Sequence, residues 1–269
     1  MLQENQSNQV HEEAEERKSP TASIIHHTIL KEAESELTRT SSSLFWSGLA
    51  AGLSMGISML AEGLLISYLP EAKWVPLLSN FGYTVGFLIV ILGKQQLFTE
   101  NTLTPVLPLL HRKSARIFWN VLRLWGVVLA ANLLGTFLFA LVVTHTSVFD
   151  SHLLQVFADI GHKAMKPDFG TTFVSGIFAG WLIALMVWLL PYSESEKVWV
   201  IIIVTFIVGL GHFSHVIVGS VETFTLAAMG EASWLEVLGS YILPTLLGNI
   251  TGGVIIVAAL NHAQVRAGD

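Results

Sequence analysis

His212 and His215 stand three residues apart in the stretch 209–220, which is flanked on both sides by apolar sequence. Lys94, Thr99 and Glu100 stand in a second such stretch, 93–101, around Leu97 and Phe98. Groups of these types can pass protons and hydrogen bonds to a polar solute where water is scarce. Inside an apolar segment they are costly, and by default they mark a functional path. Both stretches also carry glycines, Gly93 in the first and Gly209, Gly211 and Gly219 in the second. A backbone amide left unpaired in hydrocarbon costs several kcal/mol, so an interrupted helix persists only where protein or a watery cavity satisfies it. Two interruptions at corresponding places in the two halves of a chain point to a solute path near the bilayer midplane.

The elements that must position these residues are membrane helices. Of the 269 residues 52% are hydrophobic and 13% charged, with a mean hydropathy of +0.61, which is outside the range of soluble domains. Six apolar spans are expected at about 44–69, 76–110, 117–145, 171–191, 197–229 and 235–261. Each is near or above the roughly 20 residues needed to cross a bilayer. The predicted organisation is a disordered polar tail over 1–27, an amphipathic interfacial helix over 28–43, a six-helix membrane domain over 44–262 and a C-terminal tail over 263–269. The link at 146–170 carries Phe149, Leu153, Leu154 and Phe157 on one helical face, which predicts a surface helix there. The first 40 residues contain no apolar run of signal-peptide length.

Charge sets an orientation. With the N-terminus inside, Arg17, Lys18, Lys31, Arg39, Arg112, Lys113, Arg116, Lys197 and Arg266 fall on the cytoplasmic side, against Lys73, Lys163 and Lys166 outside. The positive-inside rule then places both termini in the cytoplasm. The net charge of −6, with no basic stripe, argues against nucleic acid as a partner. The absence of cysteine excludes disulfides and thiolate metal sites.

The halves repeat. Phe45-Trp46-Ser47-Gly48-Leu49-Ala50-Ala51-Gly52 matches Phe173-Val174-Ser175-Gly176-Ile177-Phe178-Ala179-Gly180. Asn132 with Gly135 matches Asn249 with Gly252. Three spans per half is an odd number, so the copies must cross in opposite senses. The expected fold is all-α, with six transmembrane helices in an inverted 3+3 repeat whose second and fifth helices are broken.

These marks together resemble the formate/nitrite transporter (FNT) family, over roughly residues 35–262. The residues that carry the likeness are Leu97-Phe98-Thr99, Phe213-Ser214-His215, Asn132 with Gly135, and Gly248-Asn249 with Gly252-Gly253. The resemblance implies an aquaporin-like fold, a homopentamer with one pore per protomer, and passage of small monovalent anions such as formate, nitrite or hydrosulfide, with protons. It implies a bacterial inner membrane. The sequence carries no HExxH, GxSxG or P-loop motif, so no enzyme activity is expected, and no cofactor. The resemblance implies a pore histidine at His215, with His212 as the alternative if the register slips by three. Leu97 and Phe98 would form an apolar constriction, Thr99 would face the histidine, and Lys163 would stand at the outer mouth. Ser214 replaces the acid often found before the histidine, and Gly219 replaces the asparagine expected four positions after it, which marks a divergent branch.

An imidazole between apolar rings would hand a hydrogen bond, and in transit a proton, to an anion that low dielectric otherwise rejects. Half-helix N-termini near Thr102 and Ser220 would add amides and positive dipole ends. Lys94 and Glu100 are expected to pair and hold the first break. Glu222 could instead meet Lys94 from the second, and Asn132 and Asn249 would support the breaks. The alternatives to anion transport are a passive channel for water or small neutral solutes, a non-transporting membrane protein with a regulatory role, and a haem site on His212 and His215.

Overall fold

The computed structural model describes residues 21–193, 195–261 and 263–264, and all its regular structure is helical. Five helices are long and apolar enough to cross a membrane, and two shorter apolar helices accompany them. Of the expected tail over 1–27, residues 1–20 lie outside the described residues, as do residues 265–269, and residues 22–27 are helical rather than disordered.

Helix α1 runs Ala22–Thr38, capped by the Thr21 side chain, which accepts from the Ile24 amide. The helix expected over 28–43 therefore begins earlier and ends earlier. Arg39 and Thr40 are extended, and the Thr40 hydroxyl accepts from the Ser43 amide, so residues 41–43 belong to the next helix. Ile29, Leu30, Ala33 and Leu37 are buried on one face of α1. That face lies against the protein, and Thr28 and Tyr192 share a 2.7 Å hydrogen bond between their hydroxyls.

Helix α2 (Ser41–Tyr68) is followed by α3 (Val75–Leu92), which opens with a proline in its first turn and stops at Gly93. A 3-10 turn (Glu100–Thr102) and the short α4 (Val106–Arg112) follow before α5 (Ala115–His145). The amphipathic α6 (Ser151–Met165) occupies the long link and buries Leu153 and Phe157. Helix α7 (Phe169–Leu189) is capped by Asp168, whose carboxylate accepts from the amide and the hydroxyl of Thr171. Those bonds hold the Asp168 carboxyl below the usual carboxylate range. Helix α8 (Lys197–Leu210) ends at Gly211, and α9 (Val216–Ala228) starts with His215 as its cap. The last helix, α10 (Trp234–Ala259), contains wide π turns at Val237–Ile242 and Gly252–Ala259.

Two glycine contacts set the spacing of these helices. A Cβ on Gly52 of α2 would stand 2.2 Å from the Asn132 carbonyl oxygen on α5. A Cβ on Gly180 of α7 would stand 2.3 Å from the Asn249 carbonyl oxygen on α10. Backbone meets backbone at both crossings, which only residues without a side chain allow.

Candidate functional site

The two interrupted stretches end their helices in the same way. After α3 the Gly93 amide donates to Ile89 O and the Gln95 amide to Val90 O; after α8 the Gly211 amide donates to Ile207 O and the Phe213 amide to Val208 O. Between each pair sits a residue in the left-handed region, Lys94 and His212, both with φ 50°. This is a helix stop in which the left-handed residue returns a later amide to an orphan carbonyl. It is unusual in using Lys and His where glycine is the common choice.

Each stretch is then held by one buried asparagine. Asn132 Oδ1 accepts from the Phe98 amide at 2.9 Å, while its Nδ2 donates to Gly48 O at 2.7 Å and Gln96 O at 2.9 Å. Asn249 Oδ1 accepts from the Val216 amide at 2.9 Å, while its Nδ2 donates to Gly176 O at 2.8 Å and Ser214 O at 2.9 Å. A serine completes each support. The Gln96 amide donates to Ser47 Oγ, and the Ser214 amide to Ser175 Oγ. These bonds satisfy backbone groups that no helix or sheet pairs, as burial requires. Leu97 and His215 thereby hold matching places, each just before the amide that its asparagine receives.

The two stretches meet at His215. Its ring is 1% exposed, and Thr99 Oγ1 lies 2.7 Å from its Nε2. Its Nδ1 accepts the Val218 amide at 3.2 Å. A nitrogen that accepts an amide carries no proton, so in the neutral ring the proton is on Nε2, which donates to Thr99 Oγ1. Both nitrogens are engaged, which leaves neither free to ligate an iron. Phe87 stands edge-on to the ring at 5.1 Å. Leu97 and Phe98, just before Thr99, are fully buried, Phe98 against Trp125.

Above His215 opens a cavity of about 240 Å³. Ser214, Gly219 and His215 line it, together with His212, Lys163, Glu62, Glu222, Tyr83 and Tyr241. His212 is exposed to this cavity and takes the helix-stop position, three residues from the Thr99 contact. Among the described residues no group of three or more His, Cys, Asp or Glu is arranged to hold a metal ion.

Three expectations about charge and helix ends are corrected. Lys94 is exposed at its left-handed position and makes no ion pair with Glu100 among the described residues; the cation acting on Glu100 is Lys197, at the start of α8. Glu222 does not meet Lys94 either. It faces Glu62 and Lys163 across the cavity. The second half-helix begins at Val216 rather than near Ser220, because the His215 ring caps it. Beyond Thr102 the first half-helix starts only at Val106 and is seven residues long.

Sequence reasoning gave no role to Ser47, Ser175, Tyr83, Tyr241 or Glu62. Ser47 and Ser175 were visible in the repeated Ser-Gly of the two halves. Tyr241 left a trace at Gly219, the glycine that its ring packs against.

Comparisons with known proteins bear on the family and the fold. The family model described as formate/nitrite transporter matches residues 23–263. The inner membrane protein YfdC of Escherichia coli (strain K12) is 43% identical over 255 residues, which are 94% of this chain and 81% of that one. A solved pentameric formate channel with formate bound superposes with a TM-score of 0.71 at 20% identity, covering 83% of this chain and 97% of its own. A second solved structure, an FNT family ion channel, gives a TM-score of 0.78 at 16% identity, covering 89% of this chain and 98% of its own. The family is one of transporters and channels, not of enzymes, and with its model matched over nearly the whole chain this protein belongs to the formate/nitrite transporter family.

Proposed function

We propose that this chain forms a pore for small monovalent anions, with a proton travelling alongside, and that His215 is its centre. The observation that carries the reading is the buried Thr99 Oγ1–His215 Nε2 contact of 2.7 Å at the floor of the cavity. It brings one residue from each interrupted stretch together where an apolar barrier begins. An anion descending past Lys163 and Ser214 would compete with Thr99 for the proton on Nε2. Beyond it Leu97 and Phe98 offer no polar group. A bare anion is rejected there, whereas the neutral weak acid is tolerated, so the proton and the anion cross together. His212, at the helix stop, would hold the mouth of the second break, and Lys163 would attract the anion to it.

The same reading takes α2, the α3–α4 pair and α5 as one half, and α7, the α8–α9 pair and α10 as the other. Six spans in an inverted repeat follow, with α3–α4 and α8–α9 as broken helices and the termini on the cytoplasmic side of a bacterial inner membrane. The pentameric assembly of the solved formate channel is the assembly proposed for this chain. Asn132 and Asn249 would support the breaks, while Lys94, Glu100 and Glu222 have structural or electrostatic roles around them. Glu62, Glu222 and Asp159 outnumber Lys163 in the cavity lining, which favours as a second reading a passage for small neutral solutes.

Stopped-flow uptake of formate and nitrite into proteoliposomes, across an acidic-to-neutral pH series, tests both. Anion-selective flux that rises as pH falls, and that His215→Asn alters strongly, is the expected result. Equal flux in the two proteins would move the pore role to His212. Flux of neutral solutes alone, independent of pH, would establish the second reading.

A further inference from the structure

Besides the residues of the two breaks and Phe87 of α3, a residue of the last helix reaches the place of His215. Tyr241 of α10 is 3% exposed and lines the cavity beside Ser214, His215 and Gly219. A Cβ on Gly219 would stand 1.7 Å from the Tyr241 hydroxyl and 2.3 Å from its Cζ. The phenol therefore fills the volume that any side chain at 219 would need, and its oxygen lies against the first turn of α9, just past His215.

Ser214, Thr245 and the His215 backbone surround that oxygen. These contacts are loose, and none of them is a hydrogen bond of good distance and angle among the described residues. Thr245 Oγ1 is buried without a hydrogen-bond partner, and Ser214 Oγ faces Ser175 Oγ at 3.3 Å. A phenol held only by such loose contacts, and facing a cavity, has a donor that a solute can take.

We propose that Tyr241 is a specificity-determining residue, whose hydroxyl donates to one oxygen of a two-oxygen anion while the His215–Thr99 pair meets the other. The proposal rests on the anion reading above and narrows it to planar oxyanions of formate or nitrite type. Such anions accept two charge-assisted hydrogen bonds at once. Hydrosulfide, with a single weakly accepting sulfur, gains little from the second donor.

Tyr241→Phe removes only the hydroxyl and keeps the ring over Gly219. The measurement is the ratio of formate to hydrosulfide flux in proteoliposomes, each corrected for protein-free vesicles, with the oligomer verified by size-exclusion chromatography. Loss of a hydrogen bond to a charged group predicts a ratio about tenfold lower in the variant, with hydrosulfide flux retained. An unchanged ratio, whether both fluxes persist or fall together, would mean that the phenol only packs, and would overturn the proposal while leaving the anion reading in place. A wild-type protein that passes neither anion would instead remove the anion reading, and this proposal with it.

Discussion

The stretch after α3 and the stretch after α8 share one scaffold and differ in chemistry. Each stops its helix with a left-handed residue, receives an asparagine side chain at the amide where the chain resumes, and borrows a serine hydroxyl from the helix that begins its half. At the place just before that amide, however, the first has Leu97 and the second has His215. The first stretch is also braced from outside: Gln96 Nε2 donates to Glu36 of α1 at 2.8 Å, and Asn101 donates to Gln96 Oε1 at 2.9 Å. The corresponding Ser214 faces the cavity. One backbone solution has thus been used twice, once with an apolar residue and once with a polar one at the place that differs. The asparagines and serines that hold the shape are separate from Leu97, Phe98 and Thr99, while His215 also caps α9.

That separation can be attacked directly, starting with the support. Asn132→Ala and Asn249→Ala each delete three buried hydrogen bonds and leave amides and carbonyls unmet. Each is expected to lower stability by about 3–5 kcal/mol, in equal measure, as read by thermal unfolding in detergent. A large loss at one site and none at the other would end the equivalence of the two stretches.

A smaller effect, on transport rather than folding, is expected from Leu97→Ala. Thinning the apolar barrier would let water follow the solute, so flux should rise and its dependence on pH should flatten. A pH profile identical to wild type would place the barrier elsewhere. Gly219→Ala forces a methyl into the Tyr241 phenol and should cost about 1–3 kcal/mol, whereas Gly239→Ala, with nothing within 4 Å of its added Cβ, should be neutral or slightly stabilising. Matching melting curves for the two would remove Tyr241 from its position over α9.

The smallest effect concerns the α7 cap. The Asp168 carboxyl is lowered by its bonds to Thr171, so its contribution is complete above the ordinary carboxylate range and is lost only as pH falls through the lowered value. Asp168→Ala should slightly reduce stability at neutral pH and remove that part of the acid sensitivity. An unaltered acid unfolding curve would count against the cap.

The apolar spans were legible because a bilayer demands long hydrophobic runs: four of the five long helices lie within a few residues of their expected places, and Val75–Leu92 starts where expected but ends at the interruption rather than at 110. The Ser-Gly and Asn-Gly repeats also carried real geometry, because close helix approach requires small residues and an interrupted backbone requires a donor and an acceptor on one side chain. The ionic partners were not legible. Lys94 and Glu100 are six residues apart and of opposite charge, yet the left-handed turn leaves Lys94 exposed, and Glu100 senses Lys197 nearly a hundred positions away. The cavity wall was hidden for the same reason. Glu62, Lys163, Glu222 and Tyr241 come from four helices, and no local pattern announces a meeting of that kind.

The backbone contacts at Gly52 and Gly180 bear on kinetics. Asn132 and Asn249 are held on helices that cannot slide past their neighbours without driving carbonyl oxygens into α-carbons. Each clamp joins two helices of the same half, α2 to α5 and α7 to α10, so it fixes the shape of that half without tying one half to the other. What each clamp forbids is a change of shape within a half, so a break and the asparagine that holds it must move together. Opening of either break should therefore be slow, and slow amide exchange at Phe98 and Val216 would read it.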